Sequence, residues 1–200
     1  MAAGPVIPVV MIERAADAVA LARALLAGGI GVIEVTLRTP AALDAIRAIA
    51  SEVEGIVTGA GTVLDAAQLD AALDAGARFA VAPGVAPKLL DAAGQHELAL
   101  LPGAATASES MALLERGIVH QKFFPAGASG GAGYLASLVS PLPQVRFCPT
   151  GGITPANARD YLGLANVACV GGSWVTPGDA IAGGDWARIE KLAREAAALG

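Results

Sequence analysis

Short runs of β-branched residues alternate with alanine-rich segments along the whole chain, and this alternation restricts the folds that the chain can adopt. The alanine-rich segments carry apolar residues three and four positions apart, which is the period of a helix. Helices of this kind are predicted at residues 15–27, 41–51, 65–75 and 155–162. Eight strands are predicted, at residues 6–12, 31–37, 55–60, 78–82, 98–101, 118–124, 144–148 and 167–170. Strands that alternate with helices in this way form parallel sheets.

Eight such units in 200 residues fit an α/β protein with a single-domain (β/α)8 TIM barrel over residues 1–200. An open, doubly wound sheet is the structural alternative. The barrel is favoured because the segments after the predicted strands are all small and turn-prone, among them GAGT, APG, PGAA, FPAG, PTGG and GGS. In a barrel such loops gather at the C-terminal end of the strands, where active sites are built.

The charge and hydropathy of the chain exclude several classes of partner. A net charge of -5 without any basic stripe argues against nucleic acid, because phosphate backbones are bound through clustered Lys and Arg. The opening residues lack the basic region and the cleavage site of a secretory signal, and no uncharged apolar stretch reaches the roughly 18 residues of a membrane span. We therefore expect a cytoplasmic protein that binds no membrane.

The cysteines and histidines give no indication of a metal site. Cys148 and Cys169 lie in separate apolar runs without CxxC spacing or neighbouring His, so buried free thiols are expected. Neither His96 nor His120 has a possible ligand partner at helical spacing. His120 is expected to be a hydrogen-bonded residue of the barrel.

Polar residues interrupt the second predicted strand on one face only. Successive strand residues point to opposite faces, so Glu34, Thr36 and Arg38 share one face and Ile33 and Val35 share the other. The apolar face suits contact with the helices, which directs the carboxylate and the guanidinium toward the barrel axis. One interpretation is a buried ion pair between Glu34 and Arg38 that helps the barrel to close, and the other is a catalytic acid.

The sixth predicted strand contains a lysine in the apolar stretch VHQKFFPA. Lysine is rarely buried, because its ammonium group loses hydration when it leaves water. By strand parity Lys122 shares a face with Phe124 and converges with Glu34 near one end of the barrel. Desolvation disfavours the ammonium form and leaves more free amine to attack a carbonyl, which is Schiff-base chemistry. The alternative is a structural lysine paired with Glu34.

Two glycine-rich segments follow the last predicted strands. PTGGITPAN begins at Pro149 and leads into a helix, and VGGSW begins at Val170. Glycine lets an anion approach the backbone closely, and free amides at a helix N-terminus favour negative charge. Because loops after strands seven and eight form the usual phosphate site of phosphate-binding barrels, these segments predict a bound phosphate.

The segments EVTLRT, GAGTVLD, APGV, KFFPA, RFCPTGGITPAN and CVGGSW closely resemble the 2-keto-3-deoxy-6-phosphogluconate (KDPG) aldolases, which also cleave 4-hydroxy-2-oxoglutarate. The resemblance runs from about Pro5 to the final helix. It implies a class I aldolase in which Lys122 forms the Schiff base and Glu34 moves protons. It further implies that Arg38 and Thr62 hold the substrate carboxylate, with Thr150 beside it.

The resemblance also implies the remaining contacts of the substrate. Pro83 and Phe124 are expected around it, and Gly151, Gly152 and Ser173 at its phosphate. The implied reaction gives pyruvate and D-glyceraldehyde 3-phosphate from KDPG. The implied assembly is a homotrimer that binds a small-molecule substrate and needs neither a cofactor nor a metal.

The chain departs from the family pattern at two positions near the expected site. Gly127 stands where members usually carry an acidic residue, and Ala104 where many carry Ile or Val. Two other functions remain open at this stage. One is a phosphate-binding isomerase or synthase in which Lys122 acts only through its charge, and the other is a non-catalytic trimeric scaffold.

Overall fold

The fold was determined as a computed structural model that describes residues 4–96 and 98–200. Within these ranges nine strands and nine α-helices alternate, except that β5 is followed directly by β6 and α8 by α9. The strands are β1 Val6–Val10, β2 Val32–Thr36, β3 Val57–Gly61, β4 Phe79–Val81, β5 Ala99–Leu101, β6 Gly103–Ala104, β7 His120–Phe123, β8 Arg146–Pro149 and β9 Val170–Gly172. The helices are α1 Ala18–Ala27, α2 Ala42–Glu52, α3 Ala66–Asp74, α4 Pro87–Gln95, α5 Ala107–Leu114, α6 Gly131–Ser137, α7 Ala158–Leu162, α8 Gly178–Gly183 and α9 Trp186–Ala197.

All the strand pairs are parallel, and they form two curled sheets in one α/β domain. The larger sheet has the order β5-β4-β3-β2-β1-β9, and the smaller has the order β6-β7-β8. Isolated parallel bridges join residues Phe147 and Val167, and Thr150 and Gly171, so β8 lies beside β9. The C-terminal ends of the strands therefore open toward the same side of the molecule.

A strand is present at each of the eight predicted positions, with ends that differ from the prediction by up to three residues, and two of these differences have a clear physical cause. The predicted strand 98–101 continues as β5 and β6, interrupted at Pro102, which has no N–H to donate to a neighbouring strand. The last strand begins at Val170 rather than at Val167. Pairing with β1 starts at Val170, whose amide donates to the backbone oxygen of Pro5, the residue just before β1, at 2.9 Å. Val167 contributes only an isolated bridge.

The helix predicted at residues 155–162 begins later, at Ala158. The preceding residues form a turn in which the side chain of Asn157 accepts from Thr154 N at 2.8 Å and donates to Gly152 O at 3.0 Å. An asparagine side chain that bonds to nearby backbone in this way competes with helical hydrogen bonds. The glycine-rich segment is thereby held as a loop up to the start of α7.

Most buried apolar side chains form one continuous core between the sheets and the helices. The first and last helices pack closely because small residues face each other, with Gly28 at the end of α1 against Ala193 of α9. Their apolar faces bury Leu21 and Leu25 from α1 and Ile189 from α9. No helix in the two described ranges is long and apolar enough to cross a membrane.

The N-terminal ends of the strands surround a cavity of about 1190 Å³. Its walls are largely apolar and include Val32, Val57, Leu98 and Ile118. His120 also lines it and is exposed, so the expectation of a hydrogen-bonded barrel residue is wrong. Strand parity fixes the face on which a residue lies, but His120 is the first residue of β7 and lies at the N-terminal end of the strand, where the cavity is.

We expect Gly28→Ala to destabilise the fold. A Cβ at this position would overlap Ala193 Cβ and lie 2.6 Å from the backbone oxygen of Glu190, so α1 and α9 would have to separate. Overpacking of this kind costs about 1–3 kcal/mol. Urea unfolding followed by circular dichroism measures the loss.

Gly94→Ala is the matched control for this substitution. Gly94 lies within α4 and nothing is within 4 Å of the position its Cβ would take. Alanine is the better helix former by up to about 1 kcal/mol, so this variant should unfold at an equal or higher urea concentration than the parent. If Gly28→Ala and Gly94→Ala unfolded at the same urea concentration, the close packing of α1 on α9 would be contradicted.

Candidate active site

Two charged side chains from different strands meet at the C-terminal side of the sheets. Lys122 Nζ of β7 lies 3.5 Å from Glu34 Oε1 of β2, and the two side chains are 6% and 3% exposed. The convergence that strand parity predicts for these residues is therefore present. The distance is that of an ion pair and exceeds a good hydrogen bond. The ring of Phe124 covers the amine, with 5.0 Å between Nζ and the ring centroid.

Glu34 is in an unusual environment for a carboxylate. Burial raises its pKa above the ordinary 4.5, and the positive charges of Lys122 and Arg38 offset part of this effect. Its Oε1 atom accepts no hydrogen bond within the described part of the chain. A carboxyl group with a raised pKa and an unused acceptor atom is suited to take up and return a proton.

The room for Glu34 comes from a glycine on the neighbouring strand. A Cβ on Gly61, the last residue of β3, would overlap Glu34 Oε1. The following residue, Thr62, has φ +58°, a left-handed conformation that a β-branched residue rarely adopts. Such strain persists only where the surroundings enforce it, and it is most frequent at active sites and ligand contacts.

Arg38 lies in the loop after β2, on the same face as Glu34. Its side chain is exposed, and its Nε donates to Thr36 Oγ1 at 3.2 Å. This bond holds the guanidinium near Thr36, two residues from Glu34 on the same face, and its positive charge lowers the pKa of Glu34. The structure therefore brings Arg38 to the mouth of the site and not into an ion pair with Glu34 in the barrel interior.

Residues from three further strands border the lysine. Gly103 of β6 is the register partner of Lys122, and a Cβ there would overlap the backbone oxygen of Pro83. Pro83, which follows β4, is thus held close to the strand beside the lysine. On the other side of β7, Cys148 of β8 is the register partner of Lys122. Thr150, two residues later, is 7% exposed.

The two cysteines lie under this site as buried free thiols, as predicted. A hydrogen bond with the Cys169 thiol and burial raise the pKa of the Cys148 thiol well above its usual value, and the charge of Glu34 adds to the effect. The sequence showed no reason to place Cys148 beside the Lys122–Glu34 pair. Its parity with Thr150 on the same strand is the signal that could have found it.

The expected phosphate site is formed by backbone. Gly151 and Gly152 have φ +93° and +79°, which favour glycine, and a Cβ on Gly152 would lie 3.5 Å from Gly127 Cα. Gly127 N donates to Gly151 O at 2.9 Å, which joins the loop after β7 to the loop after β8. Ser173 follows β9 and is exposed. Its loop opens at the same edge, because the bridge at Thr150 makes β8 and β9 neighbours.

The described residues contain no group of three or more His, Cys, Asp or Glu side chains arranged to hold a metal ion. The large cavity at the N-terminal ends of the strands is lined by none of the expected site residues. Glycines 61 and 103 and the hydroxyl of Thr36 are structural parts of the site to which sequence reasoning assigned no role. Thr36 is visible in the sequence as a polar residue on the inward face, but the contacts of all three residues become visible only when neighbouring strands are placed in register.

Comparison with known proteins gives consistent results. The sequence model of a family described as "Aldolase: KDPG and KHG aldolase" matches residues 1–192. The "KHG/KDPG aldolase" of Escherichia coli (strain K12) is 54% identical over 193 residues, which are 96% of this chain and 91% of that protein.

Two crystal structures resemble the whole chain. The 2-keto-3-deoxy-6-phosphogluconate aldolase of Zymomonas mobilis ZM4 with 3-phosphoglycerate has a TM-score of 0.93 and 50% identity, over 99% of this chain and 93% of that one. The second is the KDPG aldolase of Legionella pneumophila with pyruvate captured at low pH as a covalent carbinolamine intermediate. It has a TM-score of 0.96 and 48% identity, over 98% of this chain and 95% of that one. The family's sequence model matches nearly every residue, and about half of the residues are identical in relatives of nearly the same length. This chain therefore belongs to the KDPG and KHG aldolase family.

Proposed function

We propose that this chain is a class I aldolase that cleaves KDPG to pyruvate and D-glyceraldehyde 3-phosphate through a Schiff base on Lys122, and that it also accepts 4-hydroxy-2-oxoglutarate. The observation that carries the proposal is the buried contact of Lys122 Nζ with Glu34 Oε1 at 3.5 Å. A relative that holds pyruvate as a covalent carbinolamine supports the same chemistry. An amine beside a proton-accepting carboxylate is the pair of groups that imine formation needs.

The reaction begins at the lysine. The free amine of Lys122 attacks the C2 carbonyl of the substrate, and loss of water gives an iminium ion. The C3–C4 bond then breaks, and its electron pair moves into the iminium to form an enamine while the C4 hydroxyl becomes an aldehyde. Protonation at C3 and hydrolysis release pyruvate and restore the amine.

Glu34 is the proton carrier in this scheme. It accepts the proton of the C4 hydroxyl, directly or through a water molecule, and returns a proton to C3 of the enamine. Its raised pKa favours this role, since a carboxyl group of higher pKa is a stronger base. General acid–base catalysis of this kind contributes about 10²- to 10⁴-fold to a rate.

Different groups bind the two ends of the substrate. Arg38, Thr62 and Thr150 bind the carboxylate, with the guanidinium at the mouth of the site and two hydroxyls further in. Pro83 and Phe124 line the middle, where the Phe124 ring already covers the amine. Apolar groups here keep water away from the iminium.

The phosphate binds at the opposite end, to Gly151, Gly152 and Ser173. The support is the exposed Gly152 backbone beside the exposed Ser173 loop, at the edge shared by β8 and β9. Backbone amides and one hydroxyl bind an anion without a cationic side chain.

The fold that we propose around this site is a closed (β/α)8 barrel formed by one domain over residues 1–200. Two contacts between the sheets support closure: the bridges between β8 and β9, and the bond from Lys122 N to Pro102 O at 2.8 Å. Because β5 and β6 are separated only by Pro102, they count as one strand and the total becomes eight.

We further propose a cytoplasmic homotrimer that works without a metal or a cofactor. Exposed apolar side chains in the loops after β1 and β3 support assembly, with Met11 47% and Leu64 54% exposed. The iminium withdraws electrons from the breaking bond, which is the role that a metal ion would otherwise have. A cytoplasmic location suits a phosphorylated sugar acid, whose charges keep it from crossing membranes.

Incubation with pyruvate and borohydride should leave a reduced adduct on Lys122 and on no other residue. Lys122 is 5% exposed, and its own strand holds it beside Glu34. Peptide mass mapping locates the adduct, and Lys88 and Lys191 serve as internal controls because both side chains are exposed. An adduct on either of these, or a parent-like yield in Lys122→Gln, would contradict imine chemistry at this position.

Glu34→Gln should still form the imine but lose about a hundredfold or more in turnover, because the amide keeps the shape and cannot act as a base. Exchange of the pyruvate methyl protons with deuterated water, followed by proton NMR, measures the step directly. Exchange at the parental rate would show that another group moves the proton.

Folding stability provides the control for this variant. Because its pKa is raised, Glu34 binds a proton more tightly in the folded chain than in the unfolded one, so its contribution to stability decreases as pH rises from about 4.5. The amide does not titrate. The free energy of unfolding of Glu34→Gln should therefore increase relative to that of the parent between pH 4.5 and pH 7, which urea unfolding can measure.

Ser173→Ala should raise KM for KDPG by about tenfold and leave KM for 4-hydroxy-2-oxoglutarate near the parental value, since only the first substrate has a phosphate to bind. This change is cleaner than adding a side chain at Gly152, where φ +79° would strain the backbone. Steady-state kinetics with both substrates makes the comparison. Equal losses on both would mean that Ser173 supports the loop and does not contact the phosphate.

A further inference from the structure

A hydroxyl group connects the end of β1 to the exposed arginine. Thr36, the last residue of β2, is 1% exposed, and its Oγ1 donates to Val10 O of β1 at 2.9 Å. The same oxygen accepts from Arg38 Nε at 3.2 Å. Thr36 thus makes two hydrogen bonds in series, one to a fixed backbone carbonyl and one to a flexible side chain.

The chemistry of the two groups fixes the direction of each bond. A hydroxyl has one proton, and its donation to Val10 O leaves the lone pairs of Oγ1 facing Arg38. The Nε–H of the arginine can only donate, so it takes this acceptor. Because the five guanidinium N–H groups form a rigid planar fork, engagement of Nε directs the Nη1 and Nη2 groups away from the strand.

We propose that Thr36 is a positioning residue that orients the guanidinium of Arg38 for the carboxylate of the keto acid. This inference rests on the carboxylate role given to Arg38 in the proposed function. Thr36 itself does not touch the substrate. Its hydroxyl removes part of the rotamer freedom of a long exposed side chain before substrate arrives, so less entropy is lost on binding.

The chain contains a matched control three residues away. Thr39 Oγ1 donates to Ile12 O at 2.5 Å, so it ties the same loop to the segment just after β1. Among the hydrogen bonds recorded for the described residues, Thr39 makes none to Arg38. The two threonines share the loop and the type of backbone bond, and they differ in contact with the guanidinium.

The first test measures binding of pyruvate by the Lys122 imine. In Thr36→Val the concentration of pyruvate for half-maximal borohydride trapping should rise about three- to tenfold, as expected for loss of one hydrogen bond to a charged group. Thr36→Ser should restore the parental value. Thr39→Val should stay within twofold of it. Equal effects of the two valine variants would overturn the proposal, because both would then act through the loop.

The second test separates orientation of the guanidinium from general damage. Pyruvamide keeps the keto group and replaces the carboxylate by a neutral amide, so its trapping should change less than twofold in Thr36→Val. In steady-state cleavage of KDPG, KM should rise with kcat little changed, the pattern of lost uniform binding. A fall in kcat with unchanged KM, or equal losses for pyruvate and pyruvamide, would overturn the proposal.

A double-mutant cycle asks whether Thr36 acts through Arg38. In the Arg38→Ala background, Thr36→Val should have no further effect on pyruvate trapping, whereas independent roles would give effects that multiply. If Arg38→Ala alone leaves pyruvate trapping unchanged, Arg38 does not bind the carboxylate, and the proposal that Thr36 orients it is overturned as well. The aldolase assignment is tested separately, by the adduct on Lys122. If Arg38→Ala weakens trapping and Thr36→Val does not, only the orientation proposal is overturned.

The cycle remains informative if Thr36→Val does not fold. Thr36→Ala removes the same hydroxyl without adding a methyl group, and thermal unfolding by circular dichroism identifies which variant is native. Arg38→Lys gives an independent check, because lysine lacks Nε and cannot bond to Thr36 while its ammonium group reaches the carboxylate. In that background Thr36→Ala should leave pyruvate trapping unchanged, and a further loss would contradict action through Nε.

Discussion

The buried contact between Lys122 and Glu34 is the constraint on which the rest of the structure depends. Burial of two charged groups costs more than their attraction returns unless the geometry is very good, and the 3.5 Å separation is only moderate. The raised pKa of Glu34 agrees with this balance, because the loss of hydration outweighs the positive charges of Lys122 and Arg38. The pair is therefore held together by packing of the surrounding strands and is available for chemistry.

Glycines make this packing possible. Gly61 leaves the space that Glu34 Oε1 occupies, and a Cβ on Gly171 would overlap the hydroxyl of Thr150. Gly103 brings β6 against the backbone of Pro83, beside the lysine. Glycine weakens a strand, so its repeated use inside a sheet indicates that close approach is needed at these points. The strands give up local stability and thereby admit polar side chains to the interior.

In the function that we propose, the two ends of the site bind negative charge by different physical means. At the carboxylate end, a guanidinium is oriented by a hydroxyl that is itself fixed by β1. At the phosphate end, glycines with positive φ expose backbone amides, and no cationic side chain is required. Positive charge is thus concentrated near the reacting carbons, where it also lowers the pKa that burial would otherwise give Glu34. A lysine at the phosphate end would be too far from Glu34 to lower its pKa by much.

Much of the fold could be predicted from the sequence, because β-branched runs and helix-period segments are local signals. Those signals located every strand of the described residues except the two-residue β6 and, through parity, the meeting of Lys122 with Glu34. They failed where a boundary depends on pairing, as at Pro102 and Val170, and where depth along a strand matters, as at His120. Thr36 was visible as a polar inward residue, but its link to Arg38 depends on the position of a β1 carbonyl, which parity cannot supply.

The position of the large cavity shows why the chemistry, and not the volume, identifies this active site. The cavity of about 1190 Å³ lies at the N-terminal ends of the strands and has mostly apolar walls. Neither Lys122 nor Glu34 lines this cavity, so the two groups of the proposed imine chemistry lie elsewhere. Lys122 lies instead in a confined site where it is 5% exposed, under the Phe124 ring. Little water reaches the amine there, and an iminium needs that protection, because water would hydrolyse it before the carbon–carbon bond breaks. The burial of the amine thus suits the proposed reaction, and the sheets provide it near the C-terminal ends of the strands, where the loops proposed to bind the two anionic groups of the substrate begin.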